Sequence, residues 1–238
     1  MQRNPGCTGV SVLMTNLMFH PEQLISTLRH AANPELARPM EAYMKNRFPF
    51  LGIKKPERAA LLKPFLKEAR EAELHLINSA VEQLWALPER EFHYAAMGLM
   101  DQKKKYWNVG SFSLMESLIT HKSWWDTVDH IAANQLGTYL LRQTPEFRRK
   151  TALRWSADNN MWLNRTALIF QLKYKEHTDA ELLFSLAETH SQSKEFFIRK
   201  AIGWALRQYA YTAPEDVRAF LQCTPLHSLS VREASKHL

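Results

Sequence analysis

The residues best equipped for chemistry lie together at Lys122–His130 (KSWWDTVDH), where two tryptophans and two aspartates fall within one short stretch. Ser123 with Asp126 three residues later has the form of a capping box, which predicts an N-cap at Ser123 and a first helical turn over 124–126. Trp125 and Asp129 are then i, i+4 neighbours on one helix face. A large ring beside an acid admits two readings: a core tryptophan with a solvated aspartate nearby, or an anionic, aromatic site for something cationic. No Cys/His cluster has metal-ligand spacing. Cys7 and Cys223 are the two cysteines of the chain, so neither a disulfide framework nor a zinc site is expected, and a reducing, cytoplasmic setting fits.

The elements that must position these residues belong to a chain of 238 residues, 45% hydrophobic, long enough for one large domain or a repeat array. Lysine and arginine outnumber aspartate and glutamate 31 to 24, a formal charge of +7, which favours a polyanionic partner such as nucleic acid. The apolar run Val10–Met18 is broken by Ser11, Thr15 and Asn16, lacks a basic leader and is too short to span a bilayer, so no membrane partner is expected. Residues 1–17 read as a loosely ordered extension. Met14 and Met18 are alternative translation starts that the sequence leaves open.

After His20 helical signals follow one another, and no strand is expected. Pro21 opens a helix, and Asn33 with Pro34 supplies an N-cap and an N1 proline for a second, interrupted or kinked at Pro39. An apolar connector over 48–53 follows, and Pro56 and Pro88 start further helices, the first bent at Pro64. Beyond the central stretch, whose helix should end near Gly137 or Leu141, Thr144-Pro145 and Asn160 mark new starts. Thr178 with Glu181, Thr212 with Glu215 and Ser230 with Glu233 have capping-box form.

A weak repeat runs through the second half. Arg165, Ala167, Leu168, Phe170, Leu172 and Lys173 match Arg199, Ala201, Ile202, Trp204, Leu206 and Arg207 at an offset of 34 residues. Helical pairs stacked at such a period form a solenoid whose inner helices line a concave surface. Arg165, Lys173, Lys175, Arg199, Lys200 and Arg207, with Arg148, Arg149, Lys150 and Arg154 before them, predict that this surface is basic. Trp162, Trp204 and Phe170 between them could meet sugars or bases. Phe196, Phe197 and Ile202 are expected in the core.

Taken as a set, the motifs resemble the AlkD family of DNA alkylation-repair glycosylases: Lys122–Asp129 (KSWWDTVD), Trp162–Arg165 (WLNR) with Phe170–Lys175 (FQLKYK), and Lys194–Arg207 (KEFFIRKAIGWALR). Tyr43–Asn46 (YMKN), Phe50–Ile53 (FLGI) and Pro56–Arg58 (PER) complete it. The resemblance covers residues 18–238 and implies one all-α domain, a solenoid of HEAT-like or ARM-like repeats around duplex DNA. It also implies excision of cationic N-alkylated purines without metal or organic cofactor and without an enclosing base pocket. No lysine stands out as a Schiff-base nucleophile, so a monofunctional enzyme is expected, acting as a monomer. On matching positions Trp125, Asp129 and Trp204 look like the family's catalytic cleft and Arg165 like its cleft arginine. Tyr43, Lys173 and Arg207 are expected to add DNA contacts. The alternative is a non-catalytic repeat module that binds DNA structures or partner proteins on the same face.

Overall fold

A computed structural model describes residues 19–238, so the expectations for residues 1–17 and for both alternative starts, Met14 and Met18, lie outside the described residues. Those residues form helices joined by short turns, with no strand among them. None of the helices is long and apolar enough to cross a membrane.

Hydrogen bonds running from one segment to its equivalent one repeat away define the architecture. Trp85 Nε1 donates to His121 O and Arg90 to Asp126, each pair 36 residues apart. Gln135 donates to Asp101 across 34 residues, Tyr174 to Gly137 O across 37, and Ser230 to Arg199 O across 31. These spans bracket the sequence offset of 34, so the weak repeat is a structural period. Helix Leu74–Ala86 packs on Arg90–Gln102, Pro145–Ser156 on Met161–Ile169, and Met161–Ile169 in turn on Phe196–Ala210. One continuous apolar core, from Phe19 to Ala234, runs through them.

Helix starts divide into those set locally and those overridden by tertiary contacts. Asn33, Thr144 and Asn160 cap as expected, accepting from the amides of Glu35 and Leu36, Phe147, and Trp162. None of the four capping boxes forms as expected, because the acid is claimed elsewhere or the cap shifts along the chain. Ser123 Oγ donates to Ile119 O instead, Asp126 is taken by Arg90 and Tyr94, and the helix Trp125–His130 begins after Trp124 with no side-chain cap. Ser230 lies inside the helix Ser228–Ala234 while Glu233 pairs with lysine and arginine, and Ala213 stands at the cap before Pro214–Cys223. In the fourth, Asp179 replaces Thr178 as the cap of Ala180–Thr189. Pro39 and Pro64 are accommodated inside Pro34–Tyr43 and Lys55–Glu71.

Two local features position the central residues. After His130 the chain widens into a π-helix over Ile131–Leu136 before resuming an α-helix over Gly137–Leu141; such turns recur where function needs a face re-aimed. The connector at 50–53 is pinned by the fully buried Glu91, whose carboxylate accepts from the amides of Leu51 (2.9 Å), Gly52 (3.0 Å) and Ile53 (3.1 Å). Gly52 has φ +86°, and a Cβ there would stand 2.0 Å from Asn33 O, so only glycine lets the connector close against the Pro34–Tyr43 helix.

Candidate functional site

A cavity lined by charged and aromatic groups holds about 570 Å³ and collects residues from five separate parts of the chain. Tyr43 and Lys45 come from the end of Pro34–Tyr43 and the turn after it, and Trp124, Trp125 and Asp129 from the central helix and its entrance. Met161–Ile169 supplies Arg165, Phe196–Ala210 supplies Phe196, Phe197, Lys200, Trp204 and Arg207, and Ser228–Ala234 supplies Glu233. Four cationic side chains (Lys45, Arg165, Lys200, Arg207) face two carboxylates (Asp129, Glu233) among six aromatic rings.

At its centre Arg165 grips Asp129 with two parallel bonds, Nε to Oδ1 at 2.7 Å and Nη2 to Oδ2 at 2.8 Å, and its Nη1 donates to Phe197 O. The Arg165 side chain is 5% exposed and that of Asp129 17%, so the carboxylate is the more open partner. Burial pushes the Asp129 pKa above its ordinary value of 3.8, while the hydrogen bonds and charge of Arg165 act in the opposite direction. Three of the five guanidinium N–H groups are thereby used, leaving two for another acceptor.

Aromatic rings build the walls. Tyr43, largely exposed, meets Trp125 edge-on with centroids 6.0 Å apart. Beneath them Trp124 packs against Trp162 (5.7 Å) and Phe197 (5.1 Å), with the Arg47 guanidinium 4.3 Å above its ring. Ala37, Met44 and Phe50 join Trp124 in a small apolar cluster that ties the first helices to the central one. Lys45 and Asn46 adopt positive φ (59° and 52°), a backbone cost that swings the turn carrying Tyr43 and Lys45 onto the cavity.

The cavity therefore gathers Trp125, Asp129, Arg165, Trp204, Tyr43 and Arg207. Lys173 is not brought to it: its ammonium donates to Asn134 Oδ1 of the π-helix. Phe170 is fully buried against Trp155 and Tyr174 and can meet no ligand, whereas Phe196 is 57% exposed at the cavity rather than in the core. Phe197 is half-buried at the cavity wall, while Ile202 is core as expected. Several of the expected basic contacts are engaged within the protein, Arg149 with Asp179 and Glu181 and Arg154 with Glu116 across repeats, and Arg199 locally with Ser193 O. Lys45, Phe196, Phe197, Lys200 and Glu233 were not singled out as site residues. Lys45 lay within YMKN and Lys200 within the basic set, but Glu233 carried no local signal beyond its false capping box. Among the described residues no group of three or more His, Cys, Asp and Glu side chains is placed to hold a metal ion.

The fold and cavity define a helical-repeat protein whose separate repeats converge on an open, cationic and aromatic cleft with an arginine-held carboxylate at its centre. The family model for DNA alkylation repair enzymes matches residues 24–238, and the chain belongs to that family. A solved structure titled predicted DNA alkylation repair enzyme from Enterococcus faecalis is 34% identical, with a TM-score of 0.80 over 87% of this chain and 96% of that one. No curated protein matches the sequence. Family membership makes this a DNA repair enzyme directed at alkylation damage.

Proposed function

We propose that the protein is a monofunctional DNA glycosylase that hydrolyses the N-glycosidic bond of cationic N-alkylated purines, N7-alkylguanine and N3-alkyladenine, in duplex DNA. The observation that carries this reading is Asp129, an arginine-oriented carboxylate facing a cleft walled by Trp125 and Trp204. As the bond from the sugar C1′ to the base nitrogen breaks, the electron pair leaves with the purine and cancels its charge, and positive charge builds on the sugar. A fixed carboxylate stabilises that charge by pre-organised electrostatics. Water then adds to C1′ and loses a proton, which Asp129 is placed to accept. The ring faces of Trp125 and Trp204 add cation-π attraction worth about 0.5–2 kcal/mol when shielded from water.

A base that already carries positive charge departs without protonation, so one carboxylate suffices. Lys45, Lys200 and Arg207 supply cations for DNA phosphates, and the two unassigned N–H groups of Arg165 can add another. The cleft is open, its lining half aromatic and half charged with no Asn, Gln, Ser or Thr side chain among the lining residues to read a base edge, which favours recognition through lesion charge over an enclosing pocket. The test is single-turnover release of free base from matched duplexes carrying N7-methylguanine, a bulkier cationic N-alkylpurine or uracil. Release of both cationic bases and retention of uracil is expected. Efficient uracil release with the bulky cation refused would overturn the mechanism, and no release of any alkylpurine would leave a DNA-binding module without catalysis.

A further inference from the structure

Trp204 stands between two cations on its own helix, Lys200 one turn before it and Arg207 one turn after, and both reach the same carboxylate. Lys200 Nζ lies 3.0 Å from Glu233 Oε1, and Arg207 Nη1 donates to Oε2 at 3.2 Å. Lys236 Nζ also approaches Oε2 at 2.8 Å and does not line the cavity. Glu233 is delivered by the last helix, which is seated at backbone contact. A Cβ on Gly203 would stand 2.5 Å from Glu233 Cβ and 2.8 Å from Ser230 O, and Ser230 Oγ donates to Arg199 O at 2.9 Å. Only a glycine at 203 allows this approach.

We propose that Glu233 is a positioning residue that holds Lys200 and Arg207 at fixed places beside Trp204, so that both meet DNA phosphates in register with the catalytic cleft. The proposal rests on the reading of this cleft as the duplex-binding site. Glu233 uses one of the three N–H groups of Lys200 and one of the five of Arg207, which leaves the others for phosphate oxygens. Two long cations without a shared counter-ion would repel and sample many rotamers, and binding DNA would then have to order them. Glu233 itself stays in place, because its side chain is 7% exposed and its helix cannot separate from Gly203 without losing packing. The ammonium of Lys236, then that of Lys200, holds its carboxyl down to about 2, so it remains charged across the working range and is unsuited to donate a proton.

The experiment compares wild type, Glu233→Gln and Gly203→Ala in two assays: the salt dependence of binding to undamaged duplex, and single-turnover release of N7-methylguanine at saturating enzyme. Glu233→Gln unties both cations and raises the net positive charge beside Trp204 by one. The log–log salt slope should steepen by up to about 0.9, the value of one extra phosphate contact, and the saturated release rate should fall about tenfold through lost register. Gly203→Ala keeps the charge but displaces the carboxylate, so it should slow release without steepening the slope. Unchanged release in both variants would overturn the proposal. So would weaker binding at an unchanged slope with unchanged saturated release in Glu233→Gln, the signature of a residue that merely docks the last helix. If wild type releases no base, the glycosylase reading fails by itself, and the slope comparison still decides whether Glu233 governs the two cations.

Discussion

The central helix carries two arginine-bound aspartates one turn apart, and they have opposite surroundings. Asp126 meets Arg90 through Oδ1 at 2.7 Å and Oδ2 at 2.9 Å and also accepts from Tyr94 at 2.7 Å, while Arg90 is fully buried. All five N–H groups of Arg90 are used, the others on Thr127 Oγ1, Lys122 O and His93 Nδ1. Asp129 has the same bidentate partner geometry in Arg165 but accepts only those two bonds and lines the cleft. One pair is closed and fixes the helix against its neighbours; the other keeps lone pairs and N–H groups for a ligand. A buried ion pair alone therefore says little about function, and unspent hydrogen-bonding capacity next to a cavity says more.

Breaking the closed pair should give the largest change in stability. Asp126→Asn leaves Arg90 charged in the interior and should cost about 3–5 kcal/mol in denaturant unfolding, against a smaller loss for Asp129→Asn, whose site water can reach. A smaller effect on the same side comes from His93, whose pKa burial and then Arg90 depress from 6.5 to about 4. The native imidazole resists a proton that the unfolded chain accepts, so stability is intact above pH 6.5 and is lost as pH falls toward 4, by up to about 3 kcal/mol. Unfolding curves of wild type and His93→Gln at several pH values should diverge in that window. On the open side, Trp204→Leu should slow single-turnover release by up to about 30-fold, the equivalent of one shielded cation-π contact. The smallest effect concerns pH and rate. With its pKa raised, Asp129 keeps a proton at higher pH than an ordinary aspartate, so it confers no acid-side loss of stability, but the release rate should fall with a midpoint above 3.8. A midpoint at or below that value would mean that Arg165 outweighs burial.

Much of this was legible in the sequence where the signal is local. The helical character, Asn33 and Asn160 as caps and the 34-residue offset are set by neighbouring residues, and the structure reproduces each. The grouping of Trp125, Asp129, Arg165 and Trp204 came from the resemblance of their motifs to the family's cleft, and the four line one cavity. What escaped was the partner choice of charged groups. Asp126 resembles a cap acid until Arg90 arrives from another repeat, and Arg149 and Arg154 resemble free phosphate ligands until Asp179 and Glu116 do. Phe170 and Phe196 exchanged places because the apolar pattern gives a helix face without saying which part of that face a neighbour will cover. Glu233 lies at the far end of the chain from Asp129, and nothing near it in sequence points to the cleft.

The most direct test of the account is single-turnover release of N7-methylguanine from duplex DNA by Asp129→Asn and Asp126→Asn, each at saturating enzyme and at a temperature where both are folded. Asp129→Asn should lose about 10²–10³-fold in rate with DNA affinity unchanged, as expected when a transition-state contact is removed. Asp126→Asn should remain near the wild-type rate. Near-normal release by Asp129→Asn would contradict the assignment of the open carboxylate as the catalytic one.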